Sequence, residues 1–299
     1  MKSLLDYAGI PSFYTLVYAG GNTYPMDLEF PMNKFNHAIL CVVLPNDTLW
    51  LENTSQEMPF NYIGSFTDDR DALIIDESGG MPIHTRAYSA AENSISRYVK
   101  YTIKENLETE AEISNYYKTY FYDQQSYLVS KSLEIQKAQF LQSLIHDNLQ
   151  IEQFNYSENK GEIPSIQLKA HLKISDLIKP ASNNLIIPIT SLQKKMQMPD
   201  VVCTNKNFFG IFRSMTFCDS IMYEIPSNYK LQNLPKENKI ETKFGTYSFS
   251  CKVVGNKICI VNSLILRKGQ YSYDLAKAYT EFIDNLDLSN KESLFLIKE

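Results

Sequence analysis

The stretch from residue 35 to residue 55 constrains the fold most strongly, because it predicts a β-hairpin whose strands pair in a defined register. It reads FNHAILCVVLPNDTLWLENTS, in which two runs rich in β-branched and aromatic residues flank a Pro-Asn turn. With an even number of loop residues, His37 faces Thr54, and Glu52 lies diagonally across from His37 on the same face, about 7–8 Å away at the backbone. A three-residue loop would place His37 and Glu52 on opposite faces.

An imidazole and a carboxylate at this spacing suit acid–base chemistry. The carboxylate fixes the tautomer of the ring and stabilises the imidazolium, which lets a thiol nucleophile become a thiolate. A single histidine at the start of a strand is more often only hydrogen-bonded or exposed to solvent. The spacing by itself therefore leaves a structural role for His37 open.

Length and composition predict a globular chain. Its 299 residues suffice for two domains of ordinary size, and 44% of them are hydrophobic against 21% charged. The net charge of −5 and the lack of a basic block argue against nucleic acid as a partner. Twenty Tyr and sixteen Phe against one Trp favour β structure.

Several classes of function are disfavoured by what the sequence lacks. No apolar run approaches the roughly 20 residues of a membrane span, and residues 1–7 do not form a signal peptide, so the literal reading is a cytoplasmic protein. No glycine-rich phosphate loop precedes a helix, and we predict no cofactor. The cysteines lack both metal-ligand and disulfide spacing and are interpreted as buried small hydrophobes: Cys41, Cys203, Cys218, Cys251 and Cys259.

The pattern along the chain changes near residues 81–91, which we interpret as a linker between a domain at 1–85 and a domain at 86–299. The first domain is predicted to begin with a helix ending at Gly9, followed by a strand at 12–18, the hairpin and a short strand at 73–75. Strands are predicted in the second domain at 98–103, 111–121, 151–155, 166–174, 184–189, 220–224, 246–254, 257–266 and 293–297. One long helix is predicted at 125–148 and another at 273–286.

Three segments of the first domain carry a family resemblance. They are LLDYAGIPS at 4–12, Asn36-His37-Ala38 and LWLENT at 49–54, and in order and spacing they resemble the transglutaminase-like superfamily of papain-type folds. The resemblance covers about residues 1–80. It implies an α+β chain, in which the C-terminal part of a papain-like domain is followed by an antiparallel β-rich, sandwich-like domain with one long helix.

The resemblance also implies roles for the hairpin residues. His37 would be the general base and acid of a cysteine enzyme acting on amide bonds of a protein or peptide substrate, and Glu52 its orienter. Multidomain bacterial proteins of this superfamily further suggest a periplasmic or cell-surface location. The chain departs from the family in two ways: Glu52 stands where Asp is usual, and the nucleophilic cysteine would lie before Met1. We therefore expect the 299-residue chain to be inactive by itself.

A second hypothesis treats the first domain as a scaffold and the β-rich domain as a protein- or glycan-binding module. The aromatic run YYKTYFY at 116–122 could stack on sugars. We favour the alternative that its aromatic residues, spaced as in a strand, fill the core from one face of a sheet. The acidic segment at 68–71 could bind a cation, but such loops are usually only solvated. His84, His146 and His171 fit no metal-ligand spacing.

Overall fold

A computed structural model describes residues 1–21, 26, 35–45, 47–194, 202–205, 208–288 and 293–299, with the backbone alone at 202–205 and 287–288. Most of the loop predicted at 19–34, the turn residue Asn46 and the side chain of Cys203 lie outside this part. The described chain is mixed α and β and consists mostly of β strands. Within it, no helix has the length and apolar character that a membrane crossing requires.

The first sheet is formed by residues 13–84, and its strands are all antiparallel to their neighbours. In spatial order these are β3 (Asp47–Leu51), β2 (His37–Leu44), β1 (Phe13–Val17), β4 (Asp71–Asp76) and β5 (Gly79–His84). Residues 81–84, predicted as part of a linker, lie in β5 instead, because Gly79 and Gly80 extend the hairpin from β4. The predicted domain boundary itself stays a prediction.

The register of the β2–β3 hairpin matches the even-loop alternative and not the three-residue loop. Leu44 pairs with Asp47, and Cys41 pairs with Trp50. The edge strand β3 is held further by Asn61, whose side-chain oxygen accepts the Trp50 backbone N–H at 2.8 Å. One face of the sheet carries a small core, formed by Val17, Ile39, Cys41, Trp50, Ile63, Ala72 and Ile74.

Helix α1 (Lys2–Tyr7) ends as predicted, at Gly9 with a φ of +70°. The N–H groups of Gly9 and Ile10 bond to the carbonyls of Asp6 and Leu5, a Schellman-type ending. The residue at this turn must adopt a left-handed conformation, which glycine adopts without steric cost.

The second sheet is larger and joins residues from 94 to 266. In spatial order its strands are β16 (Asn238–Thr242), β17 (Gly245–Val254), β18 (Lys257–Leu266), β14 (Met215–Glu224), β6 (Ser94–Ile103), β7 (Thr109–Lys118), β9 (Ser165–Ile174) and β8 (Leu149–Asn159). Neighbours are antiparallel except for β6 and β14, which are parallel. The predicted turn at Gly255-Asn256 is confirmed, since Val254 pairs with Lys257.

Two smaller sheets and the helical segments at 120–142 and 276–286 contribute buried residues to the core of this sheet. The smaller sheets are β10 (Lys179–Ala181), β11 (Asn184–Pro188), β20 (Ser293–Lys298) and β15 (Tyr229–Leu231), and β12 (Val202–Asn205), β13 (Phe208–Ile211) and β19 (Gly269–Ser272). The helix predicted at 273–286 is present as a 3₁₀ turn at Tyr273–Leu275 and a longer helix at Ala276–Leu288, named α5 below.

The prediction of a single helix at 125–148 is wrong. The chain forms α3 (Tyr120–Val129) and α4 (Leu133–Gln142), separated at 130–132. Buried Gln136 of α4 explains the break, because its side-chain NH₂ donates to the carbonyls of Leu128 at 2.9 Å and Lys131 at 3.2 Å. These bonds satisfy carbonyls at the end of α3 that a continuous helix would bond internally.

The aromatic run at 116–122 divides between two elements. Strand β7 ends at Lys118, two residues earlier than α3 begins. Tyr117, Phe121 and Tyr122 are buried in the main core, as the favoured interpretation predicted, whereas Tyr116 is exposed on the sheet. No continuous stacking platform forms at this segment.

Candidate functional site

The position of His37 is set by the start of β2. The preceding residue, Asn36, pairs with Ala19 through its side chain: its oxygen accepts the Ala19 N–H at 2.6 Å, and its NH₂ donates to the Ala19 carbonyl at 3.0 Å. His37 then pairs with Val17 of β1. These bonds fix the backbone that carries the imidazole.

Glu52 directly follows β3 and reaches the imidazole. His37 Nε2 and Glu52 Oε2 are 2.7 Å apart, and the side chains are 16% and 7% exposed. The other carboxylate oxygen, Oε1, accepts the Thr54 backbone N–H at 3.0 Å and its hydroxyl at 2.8 Å. The structure thus brings together the two residues that the sequence selected, and adds Thr54 as an anchor for the carboxylate.

These contacts keep Glu52 ionised. Burial by itself raises the pKa of Glu52, but hydrogen bonds from Thr54 and His37 outweigh it and hold the pKa below its usual value. At neutral pH the carboxylate therefore carries its charge. It can orient the His37 ring and stabilise a positive charge on it.

Phe66 forms a wall beside the pair. It lies in the short helix α2 (Gly64–Thr67), and its ring meets the His37 ring edge-on, with centroids 5.6 Å apart and an interplanar angle of 70°. The Phe66 ring is half-exposed. Sequence reasoning missed this residue, because its segment at 56–72 shows no strand or helix periodicity.

The described cysteines do not supply a nucleophile beside His37. Cys41 is the one described cysteine on the same sheet, but it is fully buried, and burial raises its pKa to about 11. It also lies four residues along β2 from His37, roughly 13 Å at 3.3 Å per residue. Cys218, Cys251 and Cys259 belong to the eight-stranded sheet.

The acidic segment at 68–71 is not a solvated loop, because the Asp68 and Asp69 carboxylates are buried and pair with basic side chains. Asp68 is buried and forms an ion pair with Arg213, and Asp69 contacts Lys268 at 2.6 Å and His84 at 3.1 Å. The positive partners Arg213 and Lys268 come from the second region of the chain, which the local sequence pattern could not reveal. Over the residues that the structure describes, no group of three or more potential ligands is placed to hold a metal ion.

The other two histidines make local contacts. His146 Nε2 lies 2.6 Å from the Ser175 carbonyl, and His171 Nδ1 lies 2.9 Å from Glu152 on the eight-stranded sheet. Near His171 the outer face of this sheet forms an open groove of about 690 Å³. Its lining includes Tyr98, Glu112, Ser114, Asn155, Lys169 and His171.

Comparison with known proteins finds one family model that matches part of the chain. Residues 184–296 match a family described as "Domain of Unknown Function with solved-structure structure (DUF3858)". No curated protein matches. A crystal structure of a "putative protease" from Parabacteroides distasonis ATCC 8503 is similar over 98% of this chain, with 13% identity and a TM-score of 0.41. This chain spans 41% of that longer protein. At such identity and TM-score, the likeness supports no conclusion about activity.

Proposed function

We propose that His37 and Glu52 form the base and orienter of a transglutaminase-like cysteine enzyme acting on amide bonds of proteins or peptides. The contact between His37 Nε2 and Glu52 Oε2 at 2.7 Å carries this proposal. The segments resembling the superfamily support it, and so does the match at 184–296, since DUF3858 is associated with transglutaminase-like proteins.

The geometry suggests how the imidazole works. Since Nε2 contacts Glu52, a thiol nucleophile exchanges its proton with Nδ1. The thiolate attacks the amide carbonyl, and the imidazolium returns the proton to the leaving amine. A thioester remains, which water or a second amine resolves with His37 again acting as base.

The nucleophile lies outside the described cysteines in this proposal. Cys41 is buried with a pKa of about 11, and a thiol at such a pKa is almost fully protonated at neutral pH. We therefore predict that the 299-residue chain by itself neither hydrolyses nor transfers acyl groups.

The test compares two proteins in assays for peptide hydrolysis and for incorporation of a labelled amine. A polypeptide in which a cysteine-bearing helix precedes residue 1 of this chain should show turnover that an alkylating agent blocks. His37→Ala should lower that turnover by roughly 10²- to 10⁴-fold. Turnover insensitive to this substitution would refute the role of His37. Turnover by the 299-residue chain that depends on His37 would refute the absence of a nucleophile.

The groove on the eight-stranded sheet favours a second candidate function, the binding of a glycan chain. Its volume lies in the range of ligand sites. The Tyr98 ring is partly exposed beside hydroxyl and amide side chains, which suits the apolar face and the hydroxyls of a sugar.

A glycan-binding screen on the full chain tests this candidate. Tyr98→Ala should weaken any binding found, while Phe66→Leu beside His37 should leave it unchanged. Binding of a peptide but no glycan, or binding insensitive to Tyr98→Ala, would refute it.

A further inference from the structure

The wall residue Phe66 is held in place from the second region of the chain. Asp123, in the first turn of α3, accepts the Ser65 backbone N–H at 2.6 Å through Oδ2. Its other oxygen accepts the hydroxyl of Tyr62, which is buried, at 2.8 Å. The carboxylate of Asp123 therefore bonds to residues on both sides of Gly64, and the second of them, Ser65, directly precedes Phe66.

The local backbone is shaped to receive that carboxylate. Gly64 has a φ of +66°, and a Cβ there would lie 3.2 Å from Asp123 Oδ2 and from Met58 Cε. Any other residue would therefore be strained and would crowd the Asp123 oxygen. The turn and the carboxylate fit each other closely.

The remaining bonds of the turn complete a fixed frame. Arg70 donates to the Ser65 carbonyl at 3.0 Å, and the Gly20 N–H donates to the Phe66 carbonyl at 2.9 Å. Arg213, also from the second region, contacts the Ser65 carbonyl at 3.5 Å. The backbone on either side of the Phe66 side chain is thus bonded, while its ring stays half-exposed against His37.

We infer that Asp123 is a positioning residue for the His37–Glu52 pair. Through Ser65 it keeps the Phe66 ring against the imidazole, so that the β-rich region controls the geometry of a pair located on the first sheet. A catalytic effect of Asp123 rests on the proposed function. The contacts that link Asp123 to His37 through Ser65 and Phe66 are independent of that function.

Nuclear magnetic resonance of the imidazole protons in the full chain tests this inference without turnover. The chain has four histidines, and His37→Gln identifies the His37 signals. Phe66→Leu should shift them, because the ring current of Phe66 is lost. Asp123→Ala should shift them in the same direction, and adding Asp123→Ala to Phe66→Leu should change them little further.

Matched variants distinguish a specific effect on the position of Phe66 from a general loss of structure. Ser126→Ala alters the same helix through a bond to the Asp123 carbonyl only and should leave the His37 signals unchanged. The signals of His146 and His171 should stay fixed in every variant. If Asp123→Ala does not fold, Asp123→Asn gives the second measurement, with a smaller shift in the same direction. Unchanged His37 signals in a folded Asp123 variant would overturn the inference, whatever the outcome of the activity assays.

Discussion

Two regions of the molecule each place a histidine of one strand beside a glutamate in or directly after the antiparallel neighbouring strand, and the two pairs differ in how the carboxylate is used. On the five-stranded sheet, both oxygens of Glu52 are bonded within the pair and its anchor Thr54. On the eight-stranded sheet, Glu152 accepts from His171 at 2.9 Å through one oxygen and forms an ion pair with Lys173 through the other.

The two pairs also differ in how well their surroundings shield the carboxylate from solvent. The Glu52 side chain is 7% exposed and that of Glu152 is 27% exposed. Phe66 borders His37, whereas Glu152 lies at the irregularity between Ile151 and Gln153 of edge strand β8. Water and a competing cation weaken the hold of Glu152 on its histidine. A histidine next to a glutamate therefore does not by itself mark a functional site. What separates the first pair from the second is a shielded carboxylate with no competing cation among the described residues.

The largest expected difference concerns activity. In a polypeptide in which a cysteine-bearing helix precedes residue 1, Glu52→Gln should lower turnover by about 10²- to 10⁴-fold, because a neutral amide no longer stabilises the imidazolium. The matched change Glu152→Gln should leave turnover unchanged. Steady-state kinetics of both variants measure this. Equal losses in the two would remove the distinction between the pairs.

The next effect concerns the bonds that join the two regions. Arg213→Ala leaves buried Asp68 without its ion-pair partner and should lower the free energy of unfolding by about 3–5 kcal/mol. Arg86→Ala breaks a pair within the second region, whose partner Glu162 is exposed, and removes the guanidinium from the Tyr88 ring; it should cost about 1–2 kcal/mol. Urea unfolding of both variants measures the difference. A small loss for Arg213→Ala would mean that the regions do not depend on this pair.

The first pair could be predicted from the sequence because its geometry is local. The turn at Pro45 sets the register of the hairpin, and the register places His37 and Glu52 on one face. Their side chains could then meet without help from distant residues. The same reasoning found the ending of α1 at Gly9, where one conformational requirement decides the outcome.

The surroundings of the pair could not be predicted, because they depend on residues far apart in the chain. Asp123 bonds to Ser65 across 58 positions, and Arg213 bonds to Asp68 across 145. A strand or helix period carries no information about such partners. The break between α3 and α4 was missed for a related reason, since the buried amide of Gln136 ends α3 from eight residues beyond Leu128.

The pH dependence of stability gives a smaller but distinct effect. The pKa of folded Glu52 is below its usual value, so its contribution is complete above that value and is lost as the pH falls through the folded pKa. At neutral pH the free energy of unfolding of the wild type should exceed that of Glu52→Gln by about 1–2 kcal/mol, a figure reduced for solvent screening. The gap should close at acidic pH, below about 4.5. Urea unfolding from pH 3 to 7 measures it, and a gap that widens on acidification would contradict the assignment.

The smallest expected effects separate the pairs by their response to salt. Thr54→Ala removes one hydrogen bond to Glu52 and should cost about 1 kcal/mol or less. Lys173→Ala removes the cation on Glu152 and should cause only a small loss of stability at low salt. The Lys173 side chain is more than half exposed, so its loss should become undetectable in 1 M salt, where charges are screened within about 3 Å. The loss caused by Thr54→Ala should persist, because a short hydrogen bond to a shielded carboxylate is screened much less. Unfolding at low and high salt compares the two directly. If the effect of Thr54→Ala also vanished in salt, the Glu52 carboxylate would be as open to solvent as that of Glu152, and the pairs would be equivalent.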